Sequence, residues 1–466
     1  MSRILVVSTD HFGKAMAGPA IRCWEMCRLL ASQGHAVRLG VRSLGESTPD
    51  GFEILLNSDS ALAIGAEWAD VIVVQGLALS IYPTLKLSKK RLVVDIYDPF
   101  NLEILELFHD SPWDTRVAHY TGQQAALVDQ LRWGDFFLCA SEKQRDYWLG
   151  ALSVAGRVNP HTHGNDRLLR RLIDVAPFGI DPTPPQHSGK PAAKGVLPGI
   201  GKDDRLLIWG GGIYNWFDPL SLLRAWPRVL ERVPKARLLF LGVKHPSPDV
   251  PAMAIATRAI QLSEELGLRD RTVHFNMEWV PYERRKDFLL ESELGVSMHF
   301  EHLETAFSFR TRILDYIWSG VPIVATEGDE FARWIENRGA GRVVSYENPA
   351  SIADAIIELL TDGEARAACC QAVAAARPSF FWEEALAPLA RYCAAPWSAP
   401  DLLGAARSDP AAIRSLEIMN SILAPKALGP RMLFFFRREG PLSLIRRMSR
   451  ALLRKMPRNR PAPNGP

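Results

Sequence analysis

The chain alternates short apolar runs rich in β-branched residues with longer stretches in which apolar positions recur at helical spacing. That alternation builds βαβ units on a parallel sheet. Residues 4–7 predict a first strand, 19–33 a helix closed by Gly34, and 36–41 a second strand. Further strands are expected at 53–56, 71–74, 92–95, 136–139 and 173–176, with helical patterns between them. Residues 182–202 are rich in Pro, Gly and Lys, carry no usable period, and read as a linker or flexible loop. The alternation then restarts, with strands expected at 206–209, 238–241, 273–275, 294–298 and 322–325 and helices at 219–232, 253–266, 282–291 and 309–319.

Because the βα series occurs twice, the expected fold class is α/β, two Rossmann-like doubly wound parallel-sheet domains facing one another across a cleft. The first would span residues 1–178. The second would span 179–395, with the linker 182–202 and a return helix at 380–393 that packs back on the body; 396–466 would be a basic, partly disordered tail. The chain has 466 residues, 47% of them hydrophobic, beyond the roughly 250–300 at which single cores stop growing, so two cores are expected.

Cys23, Cys27, Cys139, Cys369, Cys370 and Cys393 lie in or beside apolar periodic segments without zinc-ligand spacing, which predicts free thiols in a reducing compartment and no metal site. The apolar run at residues 4–7 is too short for a signal peptide or a membrane span, so a cytoplasmic location is expected. Net charge is +3, but residues 431–460 alone carry +9, leaving about −6 on the rest. A basic surface for nucleic acid on the body is therefore not expected. In the tail, Leu442, Ile445, Met448, Leu452 and Met456 recur at helical spacing among Arg446, Arg447, Arg450 and Arg454. This pattern suits peripheral contact with an anionic membrane, against the alternative of a solvated basic end.

Four stretches carry candidate chemistry. Residues 8–19 join the first strand to its helix, and Gly18 stands at a helix start whose free N–H groups can hold an anion, though an ordinary strand-to-helix loop would look the same. No Walker lysine or tight Gly-x-Gly-x-x-Gly is present, which disfavours P-loop and dinucleotide enzymes. Asp98 follows a predicted strand at its carboxyl end, where open α/β sheets bind ligands; it could meet a sugar hydroxyl or cap the next helix. Gly210, Gly211 and Gly212 follow the first strand of the second domain and let a ligand approach the backbone. In the stretch 299–326, Ser308 is expected as the N-cap of the 309–319 helix, with Arg310 in its first turn, where a cation opposes the helix dipole unless an anion is bound. Salt bridges from Arg310 and Arg312 to Glu301 or Glu304 are the alternative.

These motifs resemble the retaining GT-B glycosyltransferases of family 4 (glycosyl transferases group 1) over roughly residues 1–395. Residues 18–22 and 29–37 are similar to the family's glycine loop, first helix and Gly-His-x-Val turn, and 175–181 to its hinge. Residues 314–326 are similar to its Leu-Glu-Ala and Gly-x-Pro-Val-Val-Ala-Thr segment. The resemblance implies a nucleotide-sugar donor as substrate, a saccharide or lipid-linked acceptor, retention of configuration, no obligatory metal or other cofactor, and closure about Gly179. It also implies that Asp315 lies against the nucleotide ribose. Two departures stand out. The family's two glutamates are separated by seven residues, and counting back from Asp315 gives Phe307, with Glu304 the nearest acid. The arginine and lysine expected after the first strand of the second domain are missing from residues 213–218.

The expected catalytic groups are therefore Asp98, Glu304 and Arg310. The expected donor-binding groups are Gly18, Gly211, Gly212, Ser308, Arg310, Arg312 and Asp315, with the arginines replacing the missing clamp through bidentate phosphate contacts. The expected reaction serves cell-surface polysaccharide assembly. A sugar-nucleotide epimerase of the same fold, or a non-catalytic scaffold, is the alternative.

Overall fold

The computed structural model describes residues 1–403 apart from 14–15, 47, 165, 244–252 and 279. The expected amphipathic tail lies outside the described residues. Strands β1 (Arg3–Val7), β2 (His11–Phe12), β3 (Ala36–Val41), β4 (Ser43–Leu44), β5 (Glu53–Leu56), β6 (Val71–Gln75), β7 (Arg91–Asp95), β8 (Phe136–Cys139) and β9 (Ile173–Val175) occupy the first part of the chain. Seven of them form one sheet in the order β5-β3-β1-β6-β7-β8-β9, and β2 pairs with β4 beside it. The second sheet, β12-β11-β10-β13-β14-β15, joins β10 (Arg205–Trp209), β11 (Ala236–Phe240), β12 (Val273–Phe275), β13 (Leu294–Ser297), β14 (Ile323–Thr326) and β15 (Gly341–Val344).

Every pairing in both sheets is parallel. β6 and β8 are buried along their whole length because helices cover both faces, and their sequences are accordingly apolar but for Gln75 at the end of β6. In each sheet the strand order reverses beside its first strand, between β1 and β6 and between β10 and β13. Crevices form at such points, at the carboxyl ends of the strands. The chain thus has the two Rossmann-like domains of a GT-B fold.

Three expectations need correction. Residues 182–202 contain no regular element but are pinned. The Glu291 carboxylate accepts from the amides of Ala192, Ala193 and Lys194, Asp287 accepts from Ser188, and Ala193 and Ile200 enter the core. The return helix is broken into Arg377–Phe380, Trp382–Ala385 and Ala387–Ala394, with prolines at Pro378 and Pro388 opening new turns. It still packs back: the Tyr392 ring stacks on Phe136 at 5.0 Å, and Ser2 Oγ donates to the Cys393 carbonyl. The β15 strand went unpredicted because Gly341-Arg342 interrupts its short apolar signal.

Cys23, Cys27, Cys139, Cys369 and Cys393 are buried, and all six cysteines are free. Among the described residues no helix is long and apolar enough to cross a membrane.

Candidate active site

Residues 1–400 form one compact unit, and a cavity of about 410 Å³ opens between its two sheets. It lies where both strand orders reverse. Its walls come from the segments that follow β1, β7, β9, β10, β11 and β12 and from the start of the Thr311–Ser319 helix.

On the first-domain side, the helix Gly18–Ser32 starts at the cavity with no side-chain cap, and Pro19 occupies its first turn. A Cβ on Gly18 would stop 3.9 Å from the Tyr97 hydroxyl; the local packing leaves room beside this helix end. The helix is held by Arg22, which is fully buried. It forks onto Asp95 at 2.8 and 2.9 Å and donates to the carbonyls of Ala176 and Pro177 at 2.7 Å each. Its donors are consumed within the scaffold, so this arginine ties three chain segments together instead of serving a ligand.

Asp98 lines the cavity as expected, and a second carboxyl, Glu103, stands beside it. The two side chains are hydrogen-bonded to each other. Both keep partial access to the cleft, yet protein on all other sides desolvates them. Burial pushes both carboxyls above the usual range, and the neighbouring Glu304 adds to the effect. The charge of Asp98 raises Glu103 further. The sequence offered one signal for Glu103: it lies one helical turn beyond Asp98, in the first turn of Phe100–Leu107.

On the opposite wall, Gly211 adopts φ +89°, a conformation that disfavours any side chain. The Gly210 amide donates to the Tyr316 hydroxyl at 2.8 Å. That hydroxyl in turn shares its proton between the carbonyls of Ile208 and Val296. Tyr316 thereby locks the glycine loop to β10 and β13, and Gly211 and Gly212 form the cavity wall. Where the family places its basic clamp, Tyr214 and Trp216 stack at 4.9 Å with planes 7° apart.

Arg310 and Arg312 both reach the cavity and are 5% and 8% exposed. Their environments differ. Arg310 forks onto Glu304 at 2.9 and 2.7 Å and touches Thr305 Oγ1 at 3.2 Å. Glu304 is 1% exposed and sits behind the wall, so this pair is a buried structural fork. Arg312 lies over the Phe217 ring at 3.9 Å and the Trp209 ring at 4.7 Å, and its Nη2 donates to the Gly212 carbonyl at 2.7 Å. Its Nη1 is buried without a hydrogen-bond partner. Desolvation lowers its pKa to about 10, so it remains a cation at neutral pH.

Ser308 does not cap the following helix. That helix runs Thr311–Ser319 with Arg310 at its N-cap, while Ser308 ends the short helix Leu303–Phe307 and donates to the Thr305 carbonyl at 3.1 Å. The short helix claims the serine because its own C-terminal carbonyls need donors. Phe307, at the position of the family's first glutamate, packs on Tyr147 at 4.8 Å, and its carbonyl accepts from Gln144 Nε2. The position that carries a carboxylate in relatives here joins the two domains.

Asp315 lies on the wall and pairs with Arg285 at 3.1 Å. Burial raises its carboxyl, while Arg285 and Arg312 oppose that rise. The sequence carried only a weak hint of Arg285, the basic run 284–286. Among the described residues no group of His, Cys, Asp and Glu could hold a metal ion.

Residues 204–362 match the family model described as glycosyl transferases group 1. Among curated proteins, the chain is 24% identical over 296 residues to the D-inositol 3-phosphate glycosyltransferase of Frankia alni, covering 58% of this chain and 71% of that one. Among solved structures, it resembles WaaG, a glycosyltransferase involved in lipopolysaccharide biosynthesis, with TM-score 0.58 and 16% identity over 84% of this chain and all of that one. It also resembles Anabaena Alr3699/HepE in complex with UDP and glucose, with TM-score 0.59 and 14% identity over 84% of this chain and all of that one. At such identities the two structures speak for the fold. Taken with the match over residues 204–362, they support a glycosyltransferase on the GT-B fold whose second domain is similar to glycosyl transferases group 1.

Proposed function

We propose that the protein transfers a sugar, with retention, from a nucleoside-diphosphate sugar to a saccharide or lipid-linked acceptor in cell-surface polysaccharide assembly. The observation that carries the donor assignment is Arg312: a buried cation on the cavity wall beside the glycine loop, with Nη1 lacking any protein partner. A buried guanidinium left unpaired is costly, and a phosphate oxygen would complete it. The UDP-glucose bound by HepE and the UDP-2-fluoro glucose bound in the trehalose-6-phosphate structure from E. coli support a donor of this kind. The role of WaaG in lipopolysaccharide biosynthesis supports the cell-surface setting.

In the proposed reaction the bond between the anomeric carbon and the diphosphate breaks with both electrons going to phosphate. An acceptor hydroxyl then bonds to the same face of the sugar and gives its proton to the departing oxygen. Arg312 and the Gly211–Gly212 backbone are placed to meet the growing phosphate charge, and a preorganised donor of this type is worth about 3–4 kcal/mol in a transition state. Arg285, held by Asp315, adds positive charge on the same wall. The chain's own cations supply this charge in the proposal, so no metal is invoked. Asp315 would meet the ribose and Asp98 the reacting sugars. The site of action is proposed as cytoplasmic, at the inner face of the membrane.

A thermal-shift series with UDP, GDP, dTDP and their sugars tests the reading. One base series should raise the melting temperature in a saturable way, with about 2.7 kcal/mol of stabilisation at one hundred times Kd. Absence of any shift at millimolar nucleotide would reject it.

A further inference from the structure

The cavity is electrically two-sided. Its described lining from the second domain includes Arg285, Arg310 and Arg312. Its described lining from the first domain includes no Lys, Arg or His, and its charged groups there are Asp98 and Glu103. The nearest first-domain cation is Arg22, which is fully buried and spends its donors on Asp95 and two carbonyls. The unpartnered Nη1 of Arg312 fixes the diphosphate end on the second-domain wall, so the acceptor must approach from the other side and meets the carboxyl pair.

We infer that this acceptor subsite takes a saccharide residue uncharged at its accepting end, with Asp98 and Glu103 accepting hydrogen bonds from its hydroxyls and excluding phosphate- or carboxylate-bearing residues. The inference rests on the donor reading given above. A phosphate brought against this pair would meet like charge in a desolvated site, where the one facing cation, Arg310, is already forked onto Glu304. The other charges facing the pair do not change this. Glu304 is acidic, Arg310 is committed to Glu304, and Asp95 is committed to Arg22. Hydroxyls suit the pair well, since each can donate to a carboxyl oxygen left open by the hydrogen bond between the two. Such an acceptor differs in charge from the inositol phosphate named for the Frankia alni relative.

The test pairs neutral and phosphorylated acceptors on the full chain: glucose with glucose 6-phosphate, mannose with mannose 6-phosphate, and inositol with inositol 3-phosphate. Donor binding is first established by calorimetry with UDP, GDP and dTDP, and nucleoside diphosphate release is then followed for each acceptor. At least one neutral sugar should show kcat/KM tenfold or more above its phosphate ester. In Glu103→Gln and Asp98→Asn, KM for that sugar should rise at least fivefold and discrimination should narrow at least threefold. The affinity of each variant for the nucleoside diphosphate should stay within twofold, which also establishes that it is folded. Preference for a phosphate ester, equal use of both, failure of every neutral sugar, or discrimination unmoved in the variants would overturn the inference. Failure of the wild type to bind any of the three nucleotides would instead defeat the donor reading.

Discussion

Two arginines two positions apart in sequence have different work because of what surrounds them. Arg310 has its two terminal nitrogens forked onto Glu304 and only Nε unpartnered, whereas Arg312 meets no carboxylate: it has aromatic faces, one carbonyl and an open terminal nitrogen. Arg312→Ala should therefore weaken nucleoside diphosphate binding by roughly 10- to 100-fold, the value of a charged hydrogen bond or two. Titration calorimetry of the variant gives the number, and an unchanged Kd would remove Arg312 from the site. Arg310→Ala should act mainly on stability. It leaves Glu304 as an unpaired buried carboxylate, at a cost of about 3–5 kcal/mol, read as a fall in the denaturant midpoint. The pair Asp98 and Glu103 predicts a pH effect. Both carboxyls titrate higher in the folded protein than in the unfolded chain. The folded state therefore keeps protons that the unfolded state has released, and stability falls as pH rises from the ordinary carboxylate range through their raised values. Glu103→Gln removes part of that loss, so its melting temperature should exceed the wild type's by more at pH 8 than at pH 5. A pH-independent gap would contradict the shift. The residue types at 98, 310, 312 and 315 were legible in the sequence, but their pairings were not. Arg285 was missed because no spacing rule links a residue to a partner on another element, and Glu103 because a carboxyl in a first helical turn looks like ordinary support for the helix dipole.

At the scale of elements, strand and helix positions followed closely from periodicity. The Pro219–Arg232 helix, β8 and β12 begin and end where the pattern places them. Besides the return segment and β15, the pattern fails in the segment between β13 and the Thr311–Ser319 helix, which borders the cavity. Ser308 and Arg310 there look like the cap and first turn of one helix, yet a short extra helix intervenes, takes Ser308 at its end and leaves Arg310 as the next N-cap. The glycine loop depends on an element contact as well. Tyr316 sits directly over Gly295 of β13, where an added Cβ would collide with its ring. Gly295→Ala should push Tyr316 off its bonds to Gly210, Ile208 and Val296. Overpacking of this kind costs about 1–3 kcal/mol, and nucleotide affinity should fall with it because the loop loses its anchor. Thermal unfolding and calorimetry on the same variant check both; a stable variant with loosened nucleotide binding would point to the loop alone.

Across the whole molecule, the segment joining the two sheets is crossed by a second contact that the sequence did not suggest. Ile180 pairs with the returning chain, its amide donating to the Phe380 carbonyl at 2.8 Å and its own carbonyl accepting from Trp382. Gly179 is needed for closeness, since a Cβ would come within 2.6 Å of the Trp382 ring. Its φ is not among the positive ones, so torsional freedom is not its role. Gly179→Ala should lower the denaturant midpoint by the equivalent of about 1–3 kcal/mol through displacement of Trp382, and Trp382→Ala introduced with it should recover little. A single variant as stable as the wild type would show that the return segment yields freely.

The sequence alone determined the doubly wound architecture, the repetition of the βα series and the glycine-rich ends that face the cleft. Each of these is written in local periodicity and in residues whose backbone preferences act within a few positions. Tertiary structure alone decided which arginine meets a carboxylate, which carboxyls bond to each other, and what fills the place of the family's first glutamate. Those outcomes depend on side chains from distant segments meeting in a desolvated space. There a charge is either paired by the scaffold or left for a ligand, and no local pattern encodes which.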